Sequence, residues 1–312
     1  MVTKTLRLFY RVILKLITFV VVVMVLAALV IQFYVFPNID RYKNDIAKLA
    51  SEATQQKVEI GHIEAGWQKL NPRLMIANID IYDAQNRPAL QLKKTDVTFS
   101  WLSIPLLEPH LANLVIREPE LTIRLSPNGA IYIAGISMES QSKPDLPNWL
   151  LRQSQFQIKN AKVIWQDDMR NAPPLSLNQL NLQLHSPPWA SLLKNHRISL
   201  TATPSIGTSN PIHIQADVYG NDVSQLKEWR GTLEASLKDA DMAAFKPWVN
   251  YAAITHPIEL QAGNGSAEVS LQFDDAQVQA LSSKLALDGV KIKLRTQAEA
   301  VQLNQLSGKF NW

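Results

Sequence analysis

The side chains in this 312-residue chain that could bind a metal or move a proton near neutral pH are six histidines, with no cysteine beside them. They are His62, His110, His185, His196, His213 and His256. No two stand at His-x-His, His-x₃-His or His-Glu-x-x-His spacing, so a metal site has no local signature. His110, His185 and His213 fall in or beside strand patterns and read as solvated edge positions. The lack of cysteine removes disulfides, thiolate sites and cysteine nucleophiles. Asp167-Asp168 and Asp274-Asp275 could suggest paired carboxylates. Neighbours on a strand point to opposite faces, however, so each doublet reads as a turn. Gly263-Asn264-Gly265-Ser266 lacks the third glycine of a dinucleotide fingerprint and is expected to be a hairpin turn. There is no Gly-x-Ser-x-Gly elbow and no phosphate-binding loop. The eight tryptophans share no spacing, and packing is the expected role for most of them. No enzyme, metal or cofactor is expected.

The chemistry of this chain therefore has to come from its surfaces. Four of its 31 basic residues, Lys4, Arg7, Arg11 and Lys15, precede an uncharged run, which leaves 27 against 27 acidic residues. A neutral body lacks the basic excess of a nucleic-acid partner, and none is expected. The uncharged run is residues 16–36, LITFVVVVMVLAALVIQFYVF. As a helix it spans about 31 Å, which matches a hydrocarbon core of about 30 Å. It is longer than a signal-peptide core, and Pro37, Asn38, Ile39 and Asp40 follow it without a small-x-small cleavage site. It reads as a retained single-pass anchor. Residues 1–15 form a cytoplasmic basic tail, and the remainder lies across the membrane, in the periplasm of a Gram-negative cell.

A short amphipathic helix is expected next, with Ile39, Tyr42, Ile46, Leu49, Ala50 and Ala53 on one face and Asn38 or Asp40 as its cap. Beyond residue 57 the pattern is almost entirely strand. In WQKLNPRLMIANIDIYD, residues 67–83, alternation puts Met75, Ala77, Ile79 and Ile81 on a dry face. Asn78, Asp80 and Tyr82 fall on the other, with Ile76 the one apolar exception. Leu121, Ile123 and Leu125 repeat the period, as do Leu180, Leu182 and Leu184. So do Ile212, Ile214, Ala216 and Val218; Leu233, Ala235 and Leu237; Ala267, Val269, Leu271 and Phe273; and Val290, Ile292 and Leu294. Each set alternates with polar residues, which predicts a mostly antiparallel sheet that is wet on one side. Short helices are expected at 101–107, 147–153 and 241–251. A Ser- and Gln-rich linker at 137–147 divides a unit over 37–136 from a continuing β region over 148–312. Leu306 to Trp312 stops inside a strand pattern, so the chain is expected to be the front of a longer protein.

The order of these pieces resembles a family. A basic N-terminus and anchor precede Ile63-Glu64-Ala65-Gly66-Trp67, then Asn71-Pro72-Arg73-Leu74 and an Asn-Ile-Asp-Ile-Tyr strand. Val97 to Ser103, Leu111 to Leu125 with Glu118-Pro119-Glu120-Leu121, and Asn128-Gly129 follow; Lys246-Pro247-Trp248 comes later. Over residues 1–136 this is similar to the N-terminal part of YhdP-type proteins of the AsmA-like group. The resemblance implies an elongated, curved β-sheet with an apolar groove, anchored in the inner membrane through residues 16–36. It also implies phospholipid as partner and a role in lipid transport to, and barrier homeostasis of, the outer membrane. Met75, Ala77, Ile79, Ile81, Leu121, Ile123, Leu125, Leu180, Leu182, Leu184, Ile212, Ile214, Val218, Val269, Leu271 and Phe273 are then the candidate lipid-facing residues. Strands about 4.8 Å apart would make roughly 15 of them about 70 Å of groove. Alternation alone serves a groove and a sandwich core equally well. Two other readings stand beside it: a periplasmic scaffold for outer-membrane protein assembly or secretion, with outer-membrane or other envelope proteins as partners, and a periplasmic β-rich hydrolase.

Overall fold

The computed structural model describes residues 2–54, 56–82, 86–137, 146–187, 194–249, 258–275, 277–294 and 299–312. Helix α1 (Val2–Val30) passes through a π turn (Ile31–Val35) and a 3-10 segment (Phe36–Tyr42) into α2 (Lys43–Thr54). Pro37 sits in the first turn of the 3-10 segment, where its missing N–H costs nothing, and Asn38 leaves helical geometry at φ −110°, ψ 15°. The side chain of Asn38 donates to the Tyr34 carbonyl at 2.7 Å. The expected cap at Asn38 or Asp40 is therefore absent, because the apolar helix runs on into α2 through a kink instead of stopping. Ile39, Ile46 and Ala50 face the sheet as expected. Leu49 does not; it is 65% exposed.

The strands are β1 (Val58–Gln68), β2 (Asn71–Tyr82), β3 (Pro88–Phe99), β4 (Leu111–Arg117), β5 (Glu120–Leu125), β6 (Ile131–Ile133) and β7 (Ile136–Ser137). They continue as β8 (Gln155–Asp167), β9 (Leu175–His185), β10 (Asn195–Pro204), β11 (Ile212–Tyr219), β12 (Arg230–Asp241), β13 (Ile258–Asp274), β14 (Gln277–Leu294) and β15 (Ala300–Asn311). All belong to one curved, unclosed sheet in the order β1-β2-β3-β4-β8-β9-β10-β11-β12-β13-β14-β15. Pairing is antiparallel except where β4 and β5 run parallel to β8, one after the other. Because β5, β6 and β7 lie off the main path, the row spans roughly 50 Å at about 4.8 Å per strand. That is shorter than a simple strand count suggests.

Two short helices sit among the strands, α3 (Ser103–Leu106) and α4 (Leu146–Arg152), with a 3-10 turn at Met242–Phe245. Asp241 caps that turn by accepting from the Ala243 N–H at 3.0 Å. Residues 250–251 of the third expected helix, and 138–145 of the expected linker, fall outside the described residues. Asp167 and Asp274 end their strands at turns, as read from the sequence. Gly263 to Ser266 does not form a hairpin; it lies inside β13. A Cβ on Gly265 would stand 2.0 Å from the Ala286 carbonyl oxygen, so glycine is required there by close backbone approach.

One irregularity recurs along the sheet. The residues that share a face step by three instead of two at Ile60/Ile63, Ile76/Ile79, Leu92/Thr95, Ile116/Pro119, Ile158/Ala161, Leu177/Leu180, Leu237/Ala240 and Leu287/Val290. Within these steps Asn78, Glu118, Asn160, Gln179, Asp239 and Gly289 take left-handed backbone conformations. Their positions are neighbours across the sheet. Ala77 pairs with Lys94, Lys94 with Arg117 and Arg117 with Lys159, and three of these four immediately precede a left-handed residue. Bulges bend strands and increase twist. Aligned in this way from β2 to β8, they crease that part of the sheet along a line across the strands.

Candidate functional site

One face of the sheet carries long rows of mostly apolar side chains, and the register makes them explicit. Ala65 pairs with Leu74, Leu74 with Val97, Val97 with Leu114 and Leu114 with Phe156. Phe156 pairs with Leu184, then come Ile198, Ala216, Leu233, Leu271 and Leu281. Cross-strand partners point to the same side, so this is a continuous apolar track from β1 to β14. A second row runs Ile63, Ile76, Thr95, Ile116, Ile158, Leu182, Leu200, Ile214, Ala235 and Val269, and ends on Ser283 and Phe310.

Among the described residues no second sheet packs on this face. Among the described residues, strands contact chiefly neighbouring strands, and α2, the 3-10 segment Phe36–Tyr42 and the 3-10 turn Met242–Phe245 are the helical pieces that pack on them most. The face is a trough and not half of a sandwich. Ile39, Ile46 and Ala50 cover its first end, Leu151 of α4 covers a patch near Leu184 and Val218, and Met242 and Phe245 cover another beside Leu287 and Val290. Between these patches, Ala161, Val163, Leu180 and Ala202 cluster with Leu121, Ile123, Ile158, Leu182 and Leu200, and no helix among the described residues joins them. Val269 remains 38% exposed.

At the anchor end, Trp67 donates to Gln32 Oε1 at 2.6 Å, packs on Phe36 and stacks on Trp101 with centroids 6.5 Å apart. Trp101 donates to the Leu70 carbonyl at 2.9 Å. These contacts fasten the first hairpin to the end of the apolar helix.

The opposite face is polar and held by ion pairs. Asp96 accepts from Arg73 and, at 3.0 Å, from Arg117. Burial raises its pKa, but the two guanidinium hydrogen bonds outweigh this and the carboxyl titrates below its ordinary value. A shallow depression is lined there by His213, Glu234, Glu268 and Lys284, whose Glu268–Lys284 pair is solvent-exposed at 3.3 Å. His196 is buried between Ser186, 2.7 Å from Nδ1, and the Gly220 carbonyl, 2.8 Å from Nε2. A carbonyl only accepts, so Nε2 carries the proton and Nδ1 accepts from Ser186. Burial lowers the His196 pKa, against the opposing effect of the Gly220 carbonyl. His110 is buried too, not a solvated edge residue, and its ring lies 3.3 Å from Ser154 Oγ. Among the described residues no three His, Asp or Glu groups are placed to hold a metal.

A family model described as YhdP protein matches residues 1–312. The chain belongs to the YhdP family. The resemblance read from residues 1–136 thus extends over the whole chain, and the relation to AsmA-like proteins is consistent with it. No curated protein and no solved structure gives a match. Within the family frame, the long apolar N-terminal helix is a candidate membrane span. Its helical run Phe9–Glu52 contains a window of mean hydropathy 3.0.

The structure gathers most of the candidate residues on the trough face: Ile79, Ile81, Leu121, Ile123, Leu125, Leu180, Leu182, Leu184, Ile212, Ile214, Val218, Val269, Leu271 and Phe273. Met75 and Ala77 are corrections. Asn78, at φ 55°, shifts the parity of β2, so Leu74 and Ile76 share the trough with Ile79 and Ile81. Met75 lies opposite Glu64 and Asp96, and Ala77 opposite His62 and Lys94, on the polar side. The apparent exception in that strand, Ile76, is a core residue at 7% exposure. Ile63, Ile116, Phe156, Ile158, Ile198 and Leu200 were absent from the candidates. Ile198 and Leu200 follow plain alternation with Ser199 and Thr201, whereas Ile63 and Ile158 carry the three-residue steps Ile60-x-x-Ile63 and Ile158-x-x-Ala161.

Proposed function

We propose that the chain is a periplasmic lipid conduit, anchored in the inner membrane with its N-terminus cytoplasmic, that shields phospholipid acyl chains in the trough and supports their passage towards the outer membrane. The observation that carries this reading is the pair of apolar rows left without a facing layer. The physical need is plain. An acyl chain of about 16 carbons costs on the order of 13 kcal/mol to expose, at about 0.8 kcal/mol per CH₂. A continuous apolar track removes most of that barrier without any bond being made or broken. The headgroup stays in water at the open side, so the trough needs no charged pocket. Family membership supports a lipid-related envelope role, and the apolar helix supports the anchor.

Photo-crosslinkers at Ile158, Ile214 and Val269 test it, with Gln157, Gln215 and Ser270 as opposite-face partners. Phospholipid adducts are expected at the first set and not at the second. Adducts with envelope proteins alone at the first set would favour a scaffold and end the conduit reading.

A further inference from the structure

The loops at the anchor end of the sheet expose apolar side chains that packing does not explain. Leu70, at the β1–β2 turn, is 82% exposed, and Leu107 is 92% exposed. Leu102, Ile104 and Leu106 are exposed as well. The segment Ser100 to Leu107, SWLSIPLL, contains no charge. Leu107 holds a left-handed conformation at φ 54°, the position after a helix where glycine or asparagine is usual. A leucine that is both strained and open to water gains nothing from the fold around it.

Position relative to the anchor supplies the missing neighbour. Strand β1 runs back alongside the helix. The Val58 N–H donates to Ser51 Oγ, the Gly61 carbonyl accepts from Lys43, and Trp67 reaches both Phe36 and Gln32. From 51 to 36 the helix advances about 26 Å, and from 58 to 67 the strand advances about 30 Å. The two therefore run side by side down to Gln32, inside the uncharged run 16–36. The turn carrying Leu70 lies three residues further, roughly 10 Å of extended chain. Trp101, stacked on Trp67 and bonded to the Leu70 carbonyl, brings the Ser100–Leu107 segment to the same level.

We propose that Leu70 and the Leu102–Leu107 segment insert into the near leaflet of the membrane that holds the anchor. Trp67 and Trp101 then sit at the headgroup level, where indoles are favoured, and Lys69 beside the turn faces the phosphates. The β1–β4 end of the trough thereby opens into lipid and not into water. The insertion itself does not depend on what the trough carries.

Because the chain has no cysteine, single probes need no background substitutions. The full chain carrying Leu70→Cys or Leu107→Cys, labelled with bimane, is placed in nanodiscs of phosphatidylethanolamine and phosphatidylglycerol. Asp217→Cys on the polar face is the reference. Quenching by a nitroxide attached high on the acyl chain should be at least threefold greater at 70 and 107 than at 217, and iodide quenching at least threefold smaller. Unaltered near- and far-UV dichroism shows that each labelled chain is folded. Iodide quenching equal to that at 217 would overturn the proposal. So would protection from iodide without nitroxide quenching, which would mean that protein covers the patch.

Discussion

A single carboxylate in the trough should obstruct it without unfolding the sheet, and Val269→Asp is the sharpest form of that test. Val269 lies in the second apolar row between Ala235 and Ser283, and at 38% exposure an aspartate there keeps its water. The folding cost is then limited to lost apolar area and strand preference, about 1 kcal/mol. A lipid tail crossing the same point faces a larger cost. One strand spacing is about 4.8 Å, roughly the length of four methylenes, so about 3 kcal/mol of contact is lost or an equal amount of carboxylate hydration is stripped. At 1.36 kcal/mol per factor of ten this slows passage on the order of a hundredfold. The assay uses benzoylphenylalanine at Phe310, the residue that follows Ser283 in the row, and a second crosslinker at Ile158 on the anchor side. Lipid adducts should appear at Ile158 at the usual rate and at Phe310 far more slowly. Ser270→Asp puts the same charge on the polar face and should change neither. Equal rates at Phe310 in a folded Val269→Asp chain would refute the reasoning.

The crease makes its own prediction: Asn160→Val should lower stability by about 1–2 kcal/mol, while Asn160→Gly stays within about 0.5 kcal/mol, both read from urea melts. His196 and His110 have lowered pKa values, so the unfolded chain takes up protons first as pH falls through about 6.5, and stability should be complete above that and decline below it. Thermal melts from pH 7.5 to 5.5 should show this loss, and His196→Gln should flatten part of the slope. Asp96→Ala should cost about 1–3 kcal/mol by leaving Arg73 and Arg117 on a half-buried face without their shared partner, and Asp96→Asn should recover part of it. Trp67→Phe, which deletes the bond to Gln32 but keeps a ring on Phe36, should raise amide exchange in the first hairpin more than elsewhere.

Alternation showed a great deal of the sheet because most strands have one polar face. Leu180, Leu182 and Leu184 alternate with Asn181, Gln183 and His185, and the structure keeps that division. It failed at Asn78 for a definite reason. A period of two assumes that every residue is extended, and one left-handed residue moves everything after it to the other face. Met75 and Ala77 were assigned from the parity of Ile79 and Ile81, across that break. Gly263 to Ser266 misled in a related way, since glycines that permit close strand approach have the same composition as glycines that permit a turn. Burial of His110 and His196 was not legible, because their surroundings come from residues distant in sequence, Ser154 for one and Gly220 with Trp229 for the other.

The alignment of the bulges matters more than their number. A bulge in one strand alone would turn its apolar side chains away from those of its neighbours on one side of the break. When β2, β4 and β8 bend at matching heights, the trough residues of neighbouring strands stay paired both above and below the line. Ile76 still meets Ile63 and Ile79 still meets Ile60, although the chain between them has changed parity. The trough face therefore continues across the crease, and the sheet curls there without opening a polar seam. Asn, Asp, Glu, Gln and Gly at the crease are hydrophilic or small, and Asn, Asp and Gly adopt left-handed geometry at the least cost. They look like interruptions in each strand read singly. Taken across the strands, they are what allows one wet-and-dry sheet to curl around an apolar trough from a single layer.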